Sequence, residues 1–250
     1  MSQASTTISS LYSWQSAART DTGCVRKVNE DALMSNQENA HWTVADGMGG
    51  HNAGDVASQE ICKAMEKLEQ SDDFPAFIDN IELSLQSVNR MLVEMAEKEN
   101  GLIGSTVVGM AFNKEHVVSY WAGDSRAYRL RNSKLEPITT DHTVVQEMLE
   151  ANQIRPEDVS SHPEKNIITR AVGSDYKLQL DFTIDKVAHN DVYIVCSDGV
   201  EKEVSDSELE DLMNQSHASL DSCVNAIVDL VLERGARDNV SVVLIKFKSK

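Results

Sequence analysis

The chain is 250 residues long, 41% apolar and 25% charged, with 23 Lys and Arg against 40 Asp and Glu, a net charge of −17. That length is near the upper limit for one hydrophobic core, and the composition is that of a globular domain able to bury one. So acidic a chain repels phosphate backbones, and no basic patch offsets it, so nucleic-acid partners are excluded.

Residues 1–10 carry no Lys or Arg and no apolar block, unlike a secretory signal or a mitochondrial presequence. They read as a disordered polar tail ahead of one domain over 11–250. No apolar run approaches the ~20 residues of a membrane-spanning helix, so a cytoplasmic monomer with no membrane contact is expected. Cys24, Cys62, Cys196 and Cys223 are scattered without a C-x-x-C pair, which argues against zinc and redox motifs and for reduced thiols in or near the core.

In chain order, β-like runs fall at 12–19, 32–36 and 41–45. Two helices follow. The first carries Val56, Ala57, Ile61, Ala64, Met65 and Leu68 on one face, and the second runs from Phe74 through Ile81 and Leu85 to Met95. A meander of strands is predicted at 105–112, 115–122, 125–131 and 134–137, then a helix at 143–151 and a polar surface excursion from Asn152 to Asn166 holding Pro156 and Pro163. Strands at 178–184 and 191–197, helices at 206–215 and 220–234, and a strand over 241–247 complete the pattern. Strands followed by a helix pair, twice over, predict an α+β fold of two packed antiparallel sheets with helices on each outer face.

The chemistry lies in where the carboxylates fall. Strand 41–45 runs into Asp46-Gly-Met-Gly-Gly-His51, strand 119–122 into Gly123-Asp124-Ser-Arg126, strand 192–197 into Asp198-Gly199, and Arg237-Asp238-Asn239 precedes the last strand. A strand holds such a carboxylate rigidly while the glycine lets backbone or ligand approach closely. Hard divalent cations take oxygen ligands of this kind and keep several waters. One Asp-Gly is usually a turn, but four fed by apolar strands point to a shared metal centre. A cysteine phosphatase is excluded because the position six residues after Cys196 is Lys202 and after Cys24 is Glu30, with no arginine at either. No Gly-Lys-Ser/Thr loop supports a P-loop enzyme. Arg126 and Asp141-His142 read as structural, and Glu201, Glu203 and Asp206–Asp211 as a solvated face and a helix start.

These clusters, with Gly23-Cys-Val-Arg26-Lys-Val-Asn-Glu30-Asp31, Gly104-Ser-Thr106, Asp141-His-Thr143 and Ile168-Thr-Arg-Ala-Val-Gly173, resemble the protein phosphatase 2C (metal-dependent phosphatase) family in order and context over residues 14–247. The Met-Gly-Gly after Asp46-Gly47 looks like the bacterial branch. The resemblance implies a four-layer α/β/β/α sandwich and dephosphorylation of phosphoserine and phosphothreonine in protein substrates, opposing a cognate Ser/Thr kinase. It implies two Mn²⁺ or Mg²⁺ ions and direct attack of a two-metal-activated water. Asp46 would bridge the ions, the Gly47 carbonyl would bind one, and Asp198 and Asp238 would complete the other. Glu30 and Asp31 would hold metal-bound waters or join the ligands, Asp124 would serve a third, weaker metal, and Arg26 would bind the substrate phosphate. Residues 144–166 correspond to the family's variable flap.

Met48 stands where eukaryotic relatives place a histidine, so a metal-bound water is the expected proton donor, and His51 reads as a capping or supporting residue. Two other functions are compatible with this scaffold: a pseudophosphatase acting as a binding module, disfavoured because every matched carboxylate is present, and a regulator dedicated to one phosphorylated partner.

Overall fold

The computed structural model describes residues 11–49, 53–69, 71, 73–215 and 217–250. The tail predicted over 1–10 and His51 lie outside the described residues. The elements in chain order are β1 (Tyr12–Asp21), β2 (Asp31–Asn36), β3 (His41–Gly49), α1 (Ala53–Glu66), α2 (Phe74–Glu99), β4 (Ile103–Ser105), β5 (Val107–Asn113), β6 (His116–Ala122), β7 (Arg126–Arg131), β8 (Lys134–Pro137), α3 (Val144–Glu150), β9 (Asp181–Lys186), β10 (Val192–Cys196), α4 (Asp198–Glu201), α5 (Asp206–Asn214), α6 (Leu220–Glu233) and β11 (Val240–Ser249).

Two antiparallel sheets form, ordered β1-β11-β10-β7-β8 and β2-β3-β5-β6-β9, with β4 paired to β3. Three apolar layers hold them in a four-layer sandwich. Trp42, Val44, Phe112, Tyr193, Val243 and Phe247 fill the space between the sheets. Ile61, Met65, Phe77, Ile81, Leu85 and Leu92 pack α1 and α2 on one outer face. Val224, Ile227, Val228 and Val231 pack α6 on the other. Each fully buried large aliphatic side chain contributes roughly 1.5–3 kcal/mol by removal from water.

The helices start and stop where their ends are satisfied. Asp73 accepts from the Ala76 backbone N–H at the start of α2, Pro75 sits in its first turn, and Asn100 ends it in the left-handed region at φ 51°. Ser205 with Glu208 and Ser219 with Ser222 form reciprocal caps on α5 and α6.

Strand boundaries depart from expectation in two informative places. β3 does not stop at Ala45. It pairs with β5 from His41 to Val44 and then exchanges partners to β4 from Gly47 to Gly49, so Asp46 lies inside a continuous strand. β9 begins at Asp181 because pairing to β6 starts at Asp181 opposite Trp121, while the preceding Leu178 and Leu180 turn onto the helical core. Three of the four cysteines are buried and free, as expected, whereas Cys24 is exposed. Among the described residues no helix is long and apolar enough to cross a membrane.

The buried Tyr120 hydroxyl is 2.8 Å from His41 Nε2 and 2.7 Å from Thr43 Oγ1, and burial holds His41 neutral, its pKa lowered to about 4. Tyr120→Phe strands both partners, and urea denaturation is expected to show a loss of about 1–3 kcal/mol.

Candidate active site

Both sheets deliver carboxylates to one end of the sandwich. Asp31 and Asp46 are paired across β2 and β3, Asp124 follows β6, Asp198 follows β10 at the first turn of α4, and Asp238 lies two residues before the start of β11. The strand ends are stitched across the sheets. Ser197 donates its hydroxyl to Asp31 Oδ2 at 2.8 Å and accepts the Ser241 backbone N–H at 3.0 Å. Asn239 pins the loop after β1 by donating to the Thr22 and Val28 carbonyls (2.9 and 3.0 Å) and accepting the Glu30 N–H at 2.8 Å. Asp46 is fixed through its backbone, its N–H on Thr106 Oγ1 at 3.1 Å and its carbonyl receiving the Ser105 hydroxyl at 2.9 Å.

The glycines here are spatial requirements. A Cβ on Gly47 would stand 2.1 Å from the Gly54 carbonyl oxygen, and one on Gly199 would stand 1.9 Å from that of Asn239. Close packing at these two points lets β3 meet the start of α1 and lets α4 meet the start of β11.

A cavity of about 310 Å³ collects the expected residues Arg26, Glu30, Asp46, Gly47, Asp124, Asp198 and Asp238, leaving Asp31 just behind it. A larger cleft of about 560 Å³ between β2 and α1 contains none of them. Burial raises all of these acids except Asp238, which Lys202 and Arg26 hold below its ordinary value against burial. Asp46 lies well above the ordinary carboxylate range, pressed by Asp31, Asp198, Asp124 and Asp238. Asp31 rises to about 6 and Asp124 to about 7. Asp198 is raised too, although Lys202 opposes the shift. Glu30 is raised by burial despite Arg26 and an N–H from Gly54 at the start of α1.

Two cations lie among these acids. Arg26 Nη2 reaches Asp238 Oδ1 at 2.9 Å and Oδ2 at 3.0 Å, with its side chain 49% exposed at the cavity mouth. Lys202 bridges Asp198 Oδ2 and Asp238 Oδ2, the latter at 2.8 Å. Motif reading did not single out Lys202 or the pinning role of Asn239. The four-residue spacing from Asp198 to Lys202, one turn of helix, was the available signal.

Glu201 and Glu203 are not a solvated face. Glu201 pairs with Arg126, which also holds Asp141 through two bonds of 2.8 and 2.6 Å, and burial pushes Glu201 up to about 7. Glu203 pairs with Arg237 at 2.9 Å. Arg126 is structural, as expected, and it anchors α4 and the 139–142 segment. His142 is structural as well: its Nδ1 accepts the Gly123 N–H at 3.1 Å, fixing the turn that carries Asp124.

The donor set suits a hard divalent ion. Asp31 Oδ1 and Asp198 Oδ1 are buried without a hydrogen-bond partner, an arrangement that is costly unless a cation or water meets them. Among the described residues no three His, Cys, Asp or Glu side chains close on one point.

The Asp124 shift gives a test of this electrostatic crowding. Between the ordinary carboxylate range and about 7, the folded metal-free protein retains a proton that the unfolded chain has lost. Stability therefore falls as pH rises through that window, with the full penalty present above it. In chelator, Asp124→Asn should exceed the unsubstituted protein in stability by more than about 1 kcal/mol near pH 8, the gap shrinking toward pH 5 in thermal melts.

Comparison with known proteins agrees with this geometry. A family profile described as Protein phosphatase 2C matches residues 25–233. The serine/threonine phosphatase stp of Listeria welshimeri is 35% identical over 237 residues, covering 91% of this chain and 94% of that protein. Among solved structures, the Mycobacterium tuberculosis serine/threonine phosphatase PstP superposes with a TM-score of 0.87 at 31% identity, covering 94% of this chain and 99% of that one. A structure of the PstP catalytic domain in complex with two manganese ions gives 0.84 at 30% identity, over 95% and 99%. The chain belongs to the protein phosphatase 2C family and is a metal-dependent serine/threonine phosphatase acting on phosphorylated proteins.

Proposed function

We propose that this chain hydrolyses its phosphoserine and phosphothreonine substrates at two manganese or magnesium ions held by Asp46, the Gly47 carbonyl, Asp198 and Asp238. The observation that carries the reading is the buried, unpartnered Oδ1 of Asp198 beside a cavity lined by five acidic residues. Asp46, pressed by Asp31, Asp198, Asp124 and Asp238, is the shared ligand. Glu30 and Asp31 orient water around it, and Asp124 serves a third, weaker position. When bound, the ions supply a hydroxide nucleophile near neutral pH and stabilise charge on the phosphoryl oxygens.

Arg26 presents a planar fork at the cavity mouth that matches two phosphate oxygens and stays charged at any working pH. Neither cysteine nor histidine is among the described residues lining the cavity, which favours direct hydrolysis over a covalent phosphoenzyme on either. Met48 lines the cavity and carries no exchangeable proton; a water held at the ions would be the proton donor to the leaving oxygen. Residues 144–166 are the substrate-selecting flap; Asn166 and Ile168, at and just past its end, line the cavity, and α3 begins at a Thr143 cap bridged to Ile168. Within the same proposal the protein works as a cytoplasmic monomer opposing a Ser/Thr kinase, since each of its substrates is a kinase product.

Hydrolysis of a phosphothreonine peptide with Mn²⁺ tests the centre. Chelator and Asp198→Asn should each lower kcat by at least about 100-fold, and full activity in chelator would refute the reading. Arg26→Ala should cost roughly 10- to 100-fold in kcat/KM, with KM rising. Exchange of 144–166 for a relative's segment should change peptide preference while leaving hydrolysis of a small aryl phosphate intact.

A further inference from the structure

We propose that Lys202 is a tethered counter-ion that occupies the Asp198–Asp238 pair in the metal-free protein and competes with the divalent ion for it, setting the concentration at which that position fills. The inference rests on the reading of Asp198 and Asp238 as ligands of one ion.

Backbone geometry puts the ammonium there. Lys202 closes the short helix α4, its N–H bonded to the Asp198 carbonyl at 3.0 Å, so its side chain rises over the residue one turn back. The ammonium contacts Oδ2 of both aspartates, while Asp198 Oδ1 is left without a partner. Asp238 is doubly served, because Arg26 also rests on it at 2.9 Å. Among the described residues Lys202 is thus the only cation paired with Asp198, and its removal would leave that buried acid without a positive partner.

The contact is also releasable. The Lys202 side chain is 26% exposed and borders the cavity, and a lysine stem has four rotatable carbons with which to withdraw. A divalent ion entering the pair brings two charges where the ammonium brings one, and like charges at that spacing repel. Occupation by the ion and by the ammonium therefore exclude each other. Asp124, close enough for Lys202 to lower its pKa, is an acid toward which the displaced ammonium can turn.

Such a residue would stabilise the metal-free protein and leave the metal-loaded protein unaffected. A purely structural ion pair would affect both alike. The test compares the unsubstituted chain with Lys202→Met, Lys202→Gln and Asp198→Asn by calorimetric titration with Mn²⁺, by free-Mn²⁺ electron paramagnetic resonance, and by thermal melts with chelator and with saturating Mn²⁺.

Lys202→Met is expected to bind one Mn²⁺ about tenfold more tightly, since one charged hydrogen-bonded contact no longer competes. It should melt lower than the unsubstituted chain in chelator and level with it in Mn²⁺. Lys202→Gln, which keeps a donor without the charge, should show the same directions and supplies the comparison if the methionine variant does not fold. Unchanged or weaker Mn²⁺ binding in both Lys202 variants, with Asp198→Asn losing a binding step, would overturn the role of Lys202 and leave the ligand assignment standing. So would an equal drop in melting temperature with and without Mn²⁺. Unaltered Mn²⁺ binding in Asp198→Asn would overturn the ligand assignment, and the proposal with it.

Discussion

Everything at the active end depends on one apolar layer, the side chains of Trp42, Val44, Phe112, Tyr193, Val243 and Phe247 that hold the two sheets face to face. The carboxylates come from both sides of that layer, Asp31, Asp46 and Asp124 from one sheet and Asp198 and Asp238 from the other. No single element could collect so many acids, because neighbouring carboxylates repel and each loses hydration on burial. The sheets' packing outweighs that repulsion. Short cross-sheet bonds from Ser197 to Asp31 and from Glu30 to Asn239 then fix how the two halves of the site meet.

The second organising element is a polar seam behind the cavity. Arg126 ties Glu201 to Asp141 and reaches the Tyr128 hydroxyl at 3.2 Å, which in turn donates to Asp206 at 3.0 Å. This chain of contacts links β7, the segment before α3, α4 and the start of α5. A four-residue helix has too few internal hydrogen bonds to persist alone. Held by Arg126, α4 keeps Asp198 and Lys202 in register one turn apart.

Much of the architecture could be read from the residues. The long apolar stripes of α1, α2 and α6, the meander from β5 to β8 and the closing strand follow from local periodicity, and the acidic clusters stood out by their place beside glycine. What escaped has a common physical origin in tertiary pairing. β3 runs on through Asp46-Gly-Met-Gly only because β4 offers it a partner 54 to 58 residues away in sequence, and two glycines in four residues give no local strand signal. Glu201 looked solvated because its neighbours in sequence are charged, yet its partner is Arg126 across the fold. Lys202 carries no local signal of its role, because its meaning depends on Asp238, 36 residues further along the chain.

The pairing of β1 with β11, ten residues from Tyr12 opposite Ser249 to Asp21 opposite Val240, has a consequence for how this molecule is made. β11 lies between β1 and β10, so the strand farthest along this sequence is interior to its sheet. During translation β1 emerges first and must wait for almost the whole chain before its partner appears, a contact of very high sequence separation. Until then Arg26 and the loop bearing Glu30 have nothing to lean on, since Asp238 and Asn239 leave the ribosome just ahead of β11. The two sides of the cavity therefore come together only after β11 has been made and can pair with β1.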